Sequence, residues 1–168
     1  PTSGMAGGGD GNYMQRFWDQ GYNMVKYANS ILSYASQVKG LDDATRDAYV
    51  GRAYFHRAYA YYNLCLQFGD IPLVTKLLQV PKRNYTSTSK EAVFQMLVRD
   101  LEFAVQHVPA QSKMQYVGQV NQEACMQLLI KCYLAVGEYA KAEAMATDLI
   151  SNHGLELMTE PFGTWQPS

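Results

Sequence analysis

Residues 51–73, GRAYFHRAYAYYNLCLQFGDIPL, constrain the fold of this chain more than any other stretch. Eight of the ten residues from Ala53 to Tyr62 are Tyr, Phe or Ala, at i, i+3 and i+4 spacings that give a helix a broad packing surface. The helix must stop at Gly69-Asp70, because Pro72 cannot continue it and biases Ile71 toward extended backbone. Arg57 lies among Tyr54, Tyr61 and Tyr62, and a guanidinium in such apolar company has to be paired or stacked. A structural role tying helices together is therefore expected of Arg57. The segment carries no nucleophile, metal cluster or phosphate loop and reads as packed scaffold.

Periodicity extends this helical reading along the chain. A first helix spans 12–38, with Phe17, Gly21, Met24-Val25, Ala28, Ile31-Leu32 and Ala35 as its buried stripe; Trp18, within that helix, reads as core. Gly40 breaks it, and Asp42 or Asp43 starts a second helix running to Phe68. A short connection makes the two antiparallel. Residues 70–89 form the one long irregular segment, expected to lie over the helices because Leu73-Val74 and Leu77-Leu78 are apolar. Ser89 or Thr88 caps a third helix, 89–107, with Glu91 in its first turn. Asn121 caps a fourth, 121–136, and a fifth covers 138–152 before Gly154. Gly137, Tyr139, Ala142 and Ala146 resemble the turn of a tetratricopeptide hairpin: a glycine, an aromatic against the turn and small residues at the crossing. The expected fold is all-α, antiparallel helix pairs stacked as tetratricopeptide-like repeats in an alpha-alpha superhelix, each layer closing the apolar face of the next. Residues 1–11, with five glycines, read as a flexible segment. Residues 12–157 are the repeat domain, and 158–168 begin a segment that continues into further sequence.

Chemistry-bearing motifs are lacking. The sequence holds no G-x-S-x-G, H-E-x-x-H, P-loop or C-x-x-C pattern, and an enzyme is not expected. Asp100 and Glu102 point in different directions on a helix and read as a solvated face. Cys125 and Cys132 are seven apart on one helix, about 10 Å along its axis, too far for a disulfide. They and Cys65 read as buried thiols. His56, His107 and His153 show no ligand spacing, so neither metal nor cofactor is expected. With a net charge of −1, no field would gather nucleic acid, and no apolar run is long enough to span a membrane. The charged fraction, 17%, is low against about 25% in typical domains, which with 13 Tyr and 8 Met suggests surface that is polar but uncharged, or covered by something outside this chain. Aromatic rings are the credible ligand feature. Tyr85, Tyr116 and Trp165 fall in loops and are the weak carbohydrate-stacking candidates.

Arg57-Ala58, Tyr61-Tyr62, Leu64, Phe68-Gly69-Asp70 and Pro72-Leu73-Val74 resemble the most characteristic stretch of the SusD/RagB family of outer-membrane nutrient-binding lipoproteins. Trp18, Tyr22 and Asn29 resemble its W…Y…N helix. Asp100-Leu101, Ala104 and Pro109 resemble its D-L-x-x-A…L-P helix, and residues 118–142 the helical hairpin that follows. Arg52 stands where members often carry Glu, and Gln119 where Arg is common. The resemblance implies a fragment of a longer protein: the scaffold of a surface glycan- or nutrient-binding lipoprotein. It also implies a TonB-dependent outer-membrane transporter as partner, outer-membrane localisation, and an N-terminal lipid anchor outside this chain. In the family much of the glycan-contacting surface resembles a cap lying outside this helical portion. Structural weight then falls on Arg57, Gly69, Pro72, Gly137, Tyr139 and Ala142. The alternative is a tetratricopeptide-type protein-interaction adaptor, although Lys26, Lys131 and Lys141 do not form an evident peptide-binding set.

Overall fold

The computed structural model describes residues 13–78, 80, 84–116 and 118–155. Five helices follow one another: α1 (Tyr13–Tyr34), α2 (Asp43–Phe68), α3 (Lys90–His107), α4 (Gln122–Ala135) and α5 (Tyr139–Asn152). Each packs chiefly on its neighbour in sequence, α1 on α2, α2 on α3, α3 on α4 and α4 on α5. The result is an all-α array of antiparallel hairpins. Between α2 and α3 the chain is less irregular than its sequence suggests. Strand β1 (Ile71–Pro72) pairs antiparallel with β2 (Ser87–Thr88), closing the base of the intervening loop.

Helix boundaries follow local chemistry. The side chains of Asp42, Ser89 and Asn121 accept hydrogen bonds from the backbone N–H groups of Thr45, Ala92 and Ala124, each satisfying an orphan donor of a first turn. Helix α2 ends at Gly69, whose φ of 74° suits a residue without Cβ. The next residue, Asp70, accepts from the N–H of Lys90 at 2.9 Å, so the end of α2 is tied to the start of α3. Between α4 and α5, Gly137 has φ 80° and Glu138 N–H donates back to Tyr133 C=O at 2.9 Å, the Schellman arrangement. Helix α1 stops at Tyr34 and tightens into a 3₁₀ turn, Ala35–Gln37, short of the expected position 38.

The core runs between α1, α2, α3 and α4, around Tyr61, Leu64, Phe94, Leu97, Leu101 and Leu129. Cys65, Cys125 and Cys132 are buried free thiols. Burial pushes the Cys65 thiol up to about 11 and the other two up to about 12, so all three stay protonated and inert at neutral pH.

Three readings of helix faces need correction. On α1 the buried residues are Val25, Ala28 and Asn29, whereas Phe17 and Ile31 are 40% and 46% exposed. Helix α1 packs against α2 and residues 72–76, so one side of its apolar surface stays open. Tyr139 is 68% exposed while Ala142 is 3% exposed. Tyr139 occupies the first position of α5, off the line that faces α4, and does not pack against the turn. Asp100 is buried and not part of a solvated face; Glu102 is half-buried and accepts from the Tyr133 hydroxyl at 2.8 Å.

Candidate functional site: a groove beside a clamped loop

The most organised polar cluster is built on Arg57. Its Nε and Nη2 donate to the two oxygens of Asp100, each at 2.8 Å, and Nη1 donates to Asn29 Oδ1 at 2.9 Å and to Thr75 C=O at 3.0 Å. The guanidinium also lies over the Tyr54 ring, 5.0 Å from its centroid. One buried cation thus joins α1, α2, α3 and the loop after β1. Burial holds the Asp100 carboxyl above its ordinary value, and the hydrogen bonds and charge of Arg57 offset only part of that rise.

Around this cluster, side chains hold the loop by its backbone. Tyr22 Oη donates to Pro72 C=O at 2.7 Å, and Asn29 Nδ2 donates to Val74 C=O at 2.9 Å. The Tyr61 hydroxyl donates to Val74 C=O at 3.0 Å and accepts from Val74 N–H at 2.7 Å. Burial pushes the Tyr61 phenol up to about 12, which keeps its proton available for that bond. Tyr22 and Asn29 are seven residues apart on one face of α1, and with Trp18 they account for the W…Y…N spacing. Trp18 fixes the helix end by edge contact with Phe68 at 5.0 Å and lies 4.8 Å from Tyr22.

Outside the clamp, α1, residues 72–78 and Tyr85 line an open groove of about 630 Å³, within the range of small-ligand sites. Trp18, Tyr22 and Tyr85 bring rings to it, and Asp19, Asn23, Lys26 and Lys76 bring polar groups. Tyr85 is thus at a concave surface. Tyr116 is 61% exposed on the connection between α3 and α4 and lies away from the groove. Trp165 and segments 1–11 and 158–168 fall outside the described residues. Arg52 donates to Val120 C=O at 3.3 Å, binding α2 to the approach of α4. No group of three or more His, Cys, Asp or Glu side chains among the described residues is arranged to hold a metal ion. None of the helices is long and apolar enough to cross a membrane among those residues.

Sequence reasoning demanded a partner for Arg57 and missed Asp100. The signal was present: Asp100 shares the buried face of α3, three residues after Leu97 and seven after Val93. A second cluster was also missed. Glu123, buried, accepts from Gln111 N–H at 2.8 Å and meets His153 Nδ1 at 3.0 Å, while Asp148 lies 3.6 Å from the other ring nitrogen.

The fold and the clamped residues after β1 define a helical-hairpin scaffold with a groove of small-ligand size beside α1. Residues 8–134 match a family model described as "Starch-binding associating with outer membrane", and the chain belongs to this SusD-like family. It is similar to SusD-like protein P2 of Formosa agariphila, at 28% identity over 92% of the chain and 30% of that protein. A SusD-like protein of Bacteroides ovatus is 30% identical over 84% of the chain and 28% of its own length. Among solved structures, one determined with a xylogluco-oligosaccharide superposes with a TM-score of 0.75, at 26% identity, over 84% of this chain and 30% of that one. The chain therefore spans under a third of the length of the relatives it matches.

Proposed function

We propose that this chain is the scaffold portion of a non-enzymatic, cell-surface protein that binds glycans or other oligomeric nutrients. In this reading the protein passes its ligand to a TonB-dependent outer-membrane transporter, on which one face of the array docks, and a lipid upstream of this chain anchors it. Residues 12–157 supply the repeat domain. The observation that carries the reading is the match over residues 8–134 to a starch-binding, outer-membrane family. The relative solved with a xylogluco-oligosaccharide supports carbohydrate as the ligand class, and the ring-lined groove is compatible with it, since sugar rings offer apolar C–H faces to aromatic side chains. The test is calorimetry of the full-length protein against a panel of oligosaccharides, with co-purification of a transporter from outer membranes. Saturable binding to at least one glycan is expected. A panel without any binding would leave the family membership intact and overturn the carbohydrate assignment.

A further inference from the structure

We infer that the groove between α1 and residues 72–78 is a subsite for an oligosaccharide carrying a carboxylate, a uronic acid residue, placed against Lys26 and Lys76. This deepens the carbohydrate reading above and rests on it. Tyr22 and Asn29 reach the groove with their polar atoms already committed to the carbonyls of Pro72 and Val74. They offer a ring and a wall rather than free hydrogen bonds. Among the described residues, the groove's uncommitted polar side chains are Asp19, Asn23 and Lys26 on α1, and Lys76 after β1. Among the described residues no ion pair engages either lysine or Asp19.

Their order gives the groove a direction. Asp19, Asn23 and Lys26 succeed one another at intervals of four and three residues, about one helical turn or 5.4 Å each, close to the length of one pyranose unit. A sugar chain lying along α1 over Trp18 and Tyr22 would meet an acceptor, then an amide, then a cation. Neutral hydroxyls suit Asp19 and Asn23, while a carboxylate there would be repelled by Asp19. At the other end two ammonium groups with no ion-pair partner among the described residues favour an anion, and each can make a charge-assisted hydrogen bond to it. A neutral glycan would leave both lysines unused.

The test is a nuclear magnetic resonance titration of the chain, which detects millimolar binding, read at the Trp18 indole N–H and the α1 amides. Three probes are compared: an oligosaccharide ending in a uronic acid, its carboxyl-reduced neutral counterpart, and an anionic sulfated derivative of that neutral counterpart. The uronate should bind about tenfold tighter than the reduced form, the scale of one charge-assisted hydrogen bond. Lys26→Met combined with Lys76→Met should erase that preference, and the circular dichroism spectrum should stay unchanged because both side chains are exposed. Equal affinity for acid and reduced forms, or a preference that survives in the double variant, would overturn the inference. So would preference for sulfate over uronate, or shifts confined to residues away from the groove. Binding of neutral glycans alone would sink this subsite yet spare the broader carbohydrate reading; silence of all three probes here, with glycan binding by the full-length protein, would do the same.

Discussion

Arg57 and Asp100 are 5% and 7% exposed, and a buried pair of this kind is a poor source of net stability but costly to break. Arg57→Ala leaves a carboxylate in the core and should destabilise by about 3–5 kcal/mol, measured by urea unfolding. Replacing both partners with apolar residues, Arg57→Met with Asp100→Leu, should cost clearly less than the single change. If the double variant were as unstable as Arg57→Ala, the bonds from Arg57 to Asn29 and Thr75 would be the ones that matter. The need for a partner was legible in the sequence, because guanidinium desolvation is a local fact. The partner's identity was not, because it depends on how α3 is rotated against α2. Carboxylates read as charged invited the solvent-facing assignment for Asp100, although its spacing from Val93 and Leu97 placed it inward.

At the scale of elements, the helix ends were legible to within a residue or two for α2 to α5, since Asp42, Ser89 and Asn121 write the starts into their own side chains. Which flank of a helix is covered was less legible: a 3.6-residue stripe names an apolar face but not the neighbour that meets it, hence the errors at Phe17, Ile31 and Tyr139. Ala142, by contrast, is 3% exposed, and Ala142→Leu should overpack the α4–α5 crossing by about 1–3 kcal/mol. Tyr139→Ser, on the open side, should shift stability by about 0.5 kcal/mol or less. Thermal melts of the two variants side by side check both. The last turn of α5 is also held by the His153–Glu123 contact. The Glu123 hydrogen bond raises the His153 pKa above its ordinary 6.5, against a lesser burial effect. Burial pushes Glu123 up, but its bonds to His153 and Gln111 outweigh this and hold it below 4.5. A raised histidine contributes fully below 6.5 and loses its contribution as pH rises through the folded-state value. A depressed glutamate contributes above 4.5 and loses it as pH falls through its own. The contribution should therefore be greatest between those limits, and His153→Gln should lower the melting temperature there and converge on the parent at alkaline pH. A difference between parent and variant that did not depend on pH would assign His153 a packing role alone.

Across the whole molecule, the array buries a continuous core between consecutive helices but leaves apolar side chains exposed at both ends. Tyr27 and Tyr34 on α1 are 65% and 48% exposed, and Tyr139 and Ile150 on α5 are 68% and 73% exposed. A stack of hairpins is stabilised by nearest-neighbour interfaces, so the array can hold its shape with these end faces uncovered. Carbohydrate recognition makes a different demand, because affinity grows from several polar groups and rings converging on one ligand. In the proposed function the groove beside α1 would supply one such wall, and the relatives that resemble this chain are more than three times as long. The isolated chain is therefore expected to bind oligosaccharides only in the millimolar range, worth about −4 kcal/mol, while the full-length protein binds the same glycan at least about a hundredfold more tightly, a gap of about 2.7 kcal/mol. Calorimetry on both, with one ligand and one buffer, measures that gap. Tight saturable binding by the chain alone would overturn the scaffold reading, and its loss on Trp165→Ala would move the site to the carboxyl-terminal segment. Its loss on Tyr85→Ala would instead keep the site at the groove and show that one helix and one clamped loop suffice to hold a sugar.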